Sequence, residues 1–427
     1  LTESFLHYIW QFQYLDRSDL RTTDGDAIQV FHPGHRNPHA GPDFTDARIK
    51  IGDLEWRGCV ELHIQSSGWM AHQHQYDAAY EPVVLHVVWE NDQPVTRSDG
   101  SNMPTLELKG RVDELLWKQY RSLITSPEII PCSYSIQQVQ EPIRTSMQER
   151  ALTERLEKKA RAFIEILNRC QNNWEEATYR LLGRNFGFKV NADAFAQLTT
   201  AVPLKILLRH ADRPLQVEAL LFGMAGFLDD IKRPDDYVRE LIREFDLLQH
   251  KYGLAGKKMH VAQWRFMRLR PANFPTLRMA QFAAFVVATP NLFSAILETE
   301  NAEDLISLFR VRQSDYWQKH YHFGKKANRV PFLGRSSMQM LVINTAVPVL
   351  AAYALEHDAY NYMDRAVAIL HKLPAEQHNI TRNWSALGWK VQTAFDSQSL
   401  LELYQSYCQK RRCLECQVGA ALVKPRQ

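Results

Sequence analysis

The stretch GPDFTDARIKIGDLEWRGCVELHIQSSGW, residues 41–69, decides how the first third of the chain is read. Two runs within it, 47–51 and 56–64, alternate apolar and polar residues, which predicts two half-buried strands. Strand periodicity puts Glu61 and His63 on one face, with Leu62 and Ile64 on the other. Asp43 stands just before the first strand, and a hairpin brings it to the same sheet edge as Glu61. Two carboxylates converging there make a hard-oxygen site for Mg²⁺ or Mn²⁺. Such an ion lowers the pKa of a bound water and neutralises charge building on a phosphate oxygen. His63 then stands beside the metal to orient water, contact phosphate or act as a third ligand. The plainer alternative is turn chemistry at Pro42-Asp43 and solvated charges on an open strand face.

Outward from this stretch the pattern is mixed. Residues 2–15 read as a helix with Phe5, Ile9 and Phe12 on one face and Glu3 near its start. Residues 27–31 read as a strand, 68–80 as a short helix, and the valine-rich 82–89 as a buried strand. Residues 99–108 add a hairpin or an edge strand. After about residue 135 the apolar spacing becomes helical, as at Leu152, Leu156, Phe163 and Leu167. The expectation is an α/β domain over 1–130, a larger all-α domain over 131–400 and a small Cys-rich appendage over 401–427.

The order helix, three strands, helix, strand, with Pro42-Asp43 and Glu61-x-His63, resembles the PD-(D/E)xK nuclease superfamily. That resemblance implies a restriction-endonuclease-like αβββαβ core and metal-dependent cleavage of DNA or RNA. Asp43 and Glu61 match the acidic pair, and His63 stands where the superfamily has lysine. Gln65 matches the added polar position of the exonuclease branch, and Glu3 the first-helix acid of some members. The whole chain also resembles an uncharacterised bacterial family, mostly from Bacteroidetes, on AGPDFTDARI, VELHIQSSGW, RLRPANFPTLRMAQ and the YC…CLEC tail. Two other readings stay open: a non-catalytic nucleic-acid-binding or scaffold protein on a degenerate nuclease fold, and a histidine-rich zinc hydrolase.

Seven of the sixteen histidines cluster near this core: His32, His35, His39, His63, His72, His74 and His86. On one continuous helix His74 and Asp77 share a face, whereas His72 and His74 do not. His86, between Leu85 and Val87, reads as a core histidine. Six cysteines in so long a chain do not suggest a disulfide scaffold. Cys408, Cys413 and Cys416 have the spacing of a zinc or iron–sulfur site, with Cys132 the preferred fourth ligand.

A net charge of +3 means that any nucleic-acid footprint must be local. Lys257, Lys258, Arg265 and Arg268 lie in one basic segment, and Lys325 and Lys326 in another, both interleaved with aromatics. Cations with flat rings suit phosphates and bases. Residues 341–355 form the nearest approach to a membrane span and read as a buried helix. The expected location is cytoplasmic, since no signal peptide is legible at the start.

Overall fold

The computed structural model describes residues 1–229 and 231–424. Two compact units form, one of Leu1–Met147 with the segment from Leu403 onward, the other of Gln148–Glu402. The C-terminal segment, expected as an appendage of its own, thus folds as part of the first unit.

The first unit contains α1 (Glu3–Phe12), β1 (Ile28–His32), β2 (His35–Arg36), β3 (Phe44–Ile51) and β4 (Leu54–Gln65). It continues with α2 (Gly68–Ala71), β5 (Val83–Glu90), β6 (Thr105–Glu107) and α3 (Glu114–Ile124). The sheet runs β1-β3-β4-β5-β6, with β2 paired to the start of β3. β3 is antiparallel to both β1 and β4, while β4, β5 and β6 are parallel. Residues 99–108 therefore yield an edge strand.

Local chemistry accounts for these elements. Thr2 caps α1 by accepting from the Phe5 N–H, and Glu3 sits in the first turn. Phe5, Leu6, Ile9 and Trp10 bury one face. The helix stops at Gln13, which is left-handed at φ 54°. In β3, Ala47, Ile49 and Ile51 are buried in strict alternation, yet Phe44 is buried too. A bulge between Phe44 and Ala47, with Asp46 at φ 59°, shifts the parity. β5 is buried from Val83 to Val88, as its unbroken apolar run requires.

The helix expected over 68–80 breaks after one turn. Gln73 is left-handed at φ 61°, and two 3₁₀ turns follow, His74–Tyr76 and Ala78–Tyr80.

The second unit is helical apart from a small hairpin, β7 (His320–His322) with β8 (Lys325–Lys326). Helix α4 (Glu141–Arg169) leads into it. Its core includes Phe195, Leu220, Phe282, Phe285 and Trp317. Arg335–Glu356 is long and apolar enough to cross a membrane, but 72% of its apolar window is buried inside the fold. Within it Val342–Ala346 forms a π turn. Pro348 has no N–H to offer the carbonyl of Asn344 four residues earlier. Asn185 Nδ2 donates to that carbonyl instead, at 2.7 Å.

Candidate metal centre

The bulge in β3 turns its leading end toward β4, where two backbone-to-carboxylate bonds join Asp43 and Glu61. The Asp43 N–H donates to Glu61 Oε2, and the Leu62 N–H donates to Asp43 Oδ2, each at 3.0 Å. The hairpin therefore brings the acidic pair together. Glu61 and His63 are not solvated: they are 6% and 2% exposed. Burial first, then the Asp43 carboxylate, push Glu61 up to about 8, with a smaller push from Glu3.

The break at Gln73 has a direct consequence. His72 and His74, which one regular helix would point apart, both reach His63. His72 Nδ1 lies 3.2 Å from His63 Nε2. Ligand nitrogens of His63, His72 and His74 all fall within 4.8 Å of one another. Glu61 Oε1 is 3.6 Å from His74 Nε2 and 3.9 Å from His63 Nε2. His74 stacks on Tyr80, ring centroids 3.7 Å apart. Its buried Nε2 has no hydrogen-bond partner.

His86, fully buried on β5, is more than core filling. Its Nε2 lies 2.9 Å from His63 Nδ1. Burial and neighbouring histidines hold both rings far below the usual range, at about 3. Both are then neutral, and one nitrogen of this bond must donate. When His63 Nδ1–H donates to His86, His63 Nε2 keeps its lone pair, as a metal ligand needs.

These donors fit a divalent cation. Among the described residues no lysine or arginine pairs with the two adjacent carboxylates, Glu61 is driven toward protonation, and His74 Nε2 is buried without a hydrogen-bond partner. Glu61, His63, His72 and His74 would hold the ion, with Asp43 alongside.

The remaining expected residues fall around this centre. Glu3 is exposed on α1, and its charge acts on Glu61. Asp77 caps the second 3₁₀ turn through the Ala79 N–H and acts electrostatically on His74. Gln65 is exposed at the end of β4, opposite Glu90. His32, His35 and His39 are exposed on and beside β1 and β2. One residue was missed. His7, one turn after Glu3 on α1, places Nε2 3.0 Å from Asp43 Oδ2. The i,i+4 spacing from Glu3 was the available signal.

A cavity of about 530 Å³ opens beside His74 and Tyr80, lined also by Trp69, Tyr76, Asp77 and Arg97. Burial lowers the pKa of the Arg97 guanidinium, which makes no ion pair among the described residues.

In the second unit Lys257, Arg265, Arg268, Lys325 and Lys326 are exposed, while Lys258 pairs with Asp229. The aromatics between them mostly face inward. Trp264 and Trp317 are 4% and 0% exposed, and their indole N–H groups donate to Ala225 O and Tyr237 Oη. They are core residues, not a platform for bases.

Fold and site together define a two-unit protein whose N-terminal mixed sheet carries a carboxylate–histidine cluster, buried at Glu61, His63 and His74 and exposed at His72. The chain belongs to the family described as "Protein of unknown function (DUF2851)", which it matches over residues 3–379. No curated protein and no solved structure matches it.

Proposed function

We propose that the N-terminal unit is a metal-dependent phosphodiesterase acting on DNA or RNA. The observation that carries this reading is the convergence of Glu61, His63, His72 and His74 beside Asp43. The donor set is richer in imidazole than the acidic pair alone, which favours Mn²⁺ or Zn²⁺ over Mg²⁺. Such an ion supplies an activated water and a Lewis acid for a phosphate oxygen. Asp43 and Glu61 would supply carboxylates whose charged form a bound ion favours, and His63 is kept neutral and oriented by His86. His7 stands where it can position Asp43 or pass a proton.

Three further features support a phosphodiester substrate. With the two-residue β2 set aside, the order α1, β1, β3, β4, α2, β5 is that of the αβββαβ nuclease superfamily, with Asp43 directly before β3 and Glu61 on β4. Arg97 is a half-buried cation lining the adjoining cavity, suited to a phosphate. The second unit carries exposed cations able to contact a nucleic-acid backbone.

The test is cleavage of single- and double-stranded DNA and RNA, and of an activated phosphodiester ester, with Mn²⁺, Zn²⁺ or Mg²⁺ and with chelator. Wild type should cleave with Mn²⁺ or Zn²⁺, and Glu61→Gln should lose at least ~100-fold. Tight metal binding without cleavage of any phosphodiester would turn the reading toward a zinc hydrolase of other substrates, which the histidine trio also supports. Wild type that binds no divalent metal ends both readings and leaves a binding or scaffold role.

A further inference from the structure

The sheet face is not the only place where metal-ligating side chains gather. Cys132, Cys408, Cys413 and Cys416 are all free and all buried, at 6–8% exposure. They come from two segments about 280 residues apart in sequence, and the structure ties those segments together. Arg411, left-handed at φ 54°, sends its guanidinium to the carbonyls of Ser126 and Glu128, just before Cys132. The C-terminal helix Gln417–Val423, which starts directly after Cys416, packs on α3 and on the 3₁₀ turn Ile136–Gln138, just after Cys132. Gly419 crosses Cys413 so closely that a Cβ would stand 2.2 Å from the Cys413 carbonyl oxygen.

The four sulfurs form a set. The charges of the four act on one another, and burial together with neighbouring sulfurs pushes the Cys132 and Cys413 thiols up to about 12. Cys59 and Cys170 supply the contrast: the charges acting on them come from Asp46 and Glu61, and from Arg180 and Glu176, with no other cysteine. Four uncharged thiols would be ordinary core, but small apolar side chains do that without chemical liability. Three cysteines of a Cys-x₄-Cys-x₂-Cys loop and a fourth on the segment tied to it give the ligand number of a thiophilic metal.

We infer that Cys132, Cys408, Cys413 and Cys416 form a four-thiolate metal centre, holding a zinc ion or an iron–sulfur cluster, that staples the C-terminal segment to the sheet unit. Arg411, held among these segments by the Ser126 and Glu128 carbonyls, would offset part of the thiolate charge. The staple braces α1, the helix bearing Glu3 and His7, from behind. Tyr8 Oη donates to Ala420 O at 3.0 Å, and Phe5 stacks on Tyr120 of α3.

The centre is tested on full-length protein made and purified without oxygen in medium supplied with zinc and iron. Metal content, acid-labile sulfide and the visible spectrum are measured before and after a mercurial thiol reagent. A zinc ion appears as about one zinc per chain released by the mercurial. An iron–sulfur cluster appears as iron with equivalent sulfide and a broad visible band that the reagent bleaches. Either signal should persist in His63→Ala/His72→Ala and in Cys59→Ser and Cys170→Ser, and vanish in Cys413→Ser/Cys416→Ser. Where the last variant does not fold, cobalt-substituted wild type decides, through its thiolate-to-cobalt charge-transfer band. Wild type with no mercurial-releasable metal and no cobalt–thiolate band overturns the inference, as does a signal that survives loss of both Cys413 and Cys416.

Discussion

At Glu61, burial and the Asp43 carboxylate act in the same direction, and only the Asp43 N–H opposes them. A side chain held in that way is poised for a cation that would reverse the balance. Glu61→Gln keeps the shape and can still accept the Asp43 N–H bond, but removes the charge. Its fold should be intact by circular dichroism, while metal content at the histidine cluster falls at least ~10-fold. His7 tests the other carboxylate. Nothing else in the sequence marks it, yet its Nε2 stands 3.0 Å from Asp43 Oδ2. His7→Ala should lower the turnover rate about 10-fold with metal saturating, and His7→Asn should recover part of it. Equal rates in all three proteins would leave His7 as a packing residue.

The elements around the site owe their positions to two breaks in regular structure. The bulge at Asp46 turns the start of β3, and the left-handed Gln73 ends α2 and brings His72 and His74 onto one side. Gly68, at the start of α2, lies against the His63 ring: a Cβ there would meet His63 Cδ2 at 2.7 Å and Cγ at 2.9 Å. His63 cannot simply swing away, because its Nδ1 is bonded to His86. Gly68→Ala should therefore cost about 1–3 kcal/mol by crowding, read from a denaturation midpoint, and weaken metal binding ~10–100-fold, read by titration calorimetry. Unchanged metal affinity would mean that the ring has room to relocate. The same breaks mark the limit of what was legible. Periodicity located α1 and the strands to within a few residues, and strand parity correctly put Glu61 beside His63. Parity could not foresee that this face is buried, because Glu, His and Gln on a strand look solvated until the segment that covers them is placed. Nor does spacing announce a helix that stops at Gln73, since glutamine is an ordinary helix residue and its left-handed conformation comes from tertiary packing.

Across the whole molecule, buried ionisable groups make the helical unit's stability depend on pH in a calculable direction. Glu218 is 3% exposed and accepts a hydrogen bond from Tyr237 Oη at 2.8 Å. Burial pushes its carboxyl from 4.5 to about 7, against hydrogen bonds from Ser314 and Tyr237. Lys159 on α4 donates to Asn344 Oδ1 at 3.0 Å and Gln398 Oε1 at 2.8 Å. Burial, then Arg155, push its ammonium from 10.5 down to about 7, against Glu376 and Glu402. For Glu218 the folded state binds the proton more tightly than the unfolded chain, so its contribution is full below about pH 4.5 and is lost as pH rises to about 7. For Lys159 the folded state binds the proton less tightly, so a penalty present below about pH 7 is relieved as pH climbs toward 10.5. The two together give a stability minimum near neutral pH. The Glu218 shift corresponds to about 3 kcal/mol. Urea midpoints of the full chain across this range should show it, and the variants separate the two groups. Relative to wild type, Glu218→Gln should remove the decline between pH 4.5 and 7, and Lys159→Met the rise above 7. Profiles of wild type and variant that stay parallel through these windows would show that the two groups titrate alike in the folded and unfolded chain, and that burial in this unit is relieved by water.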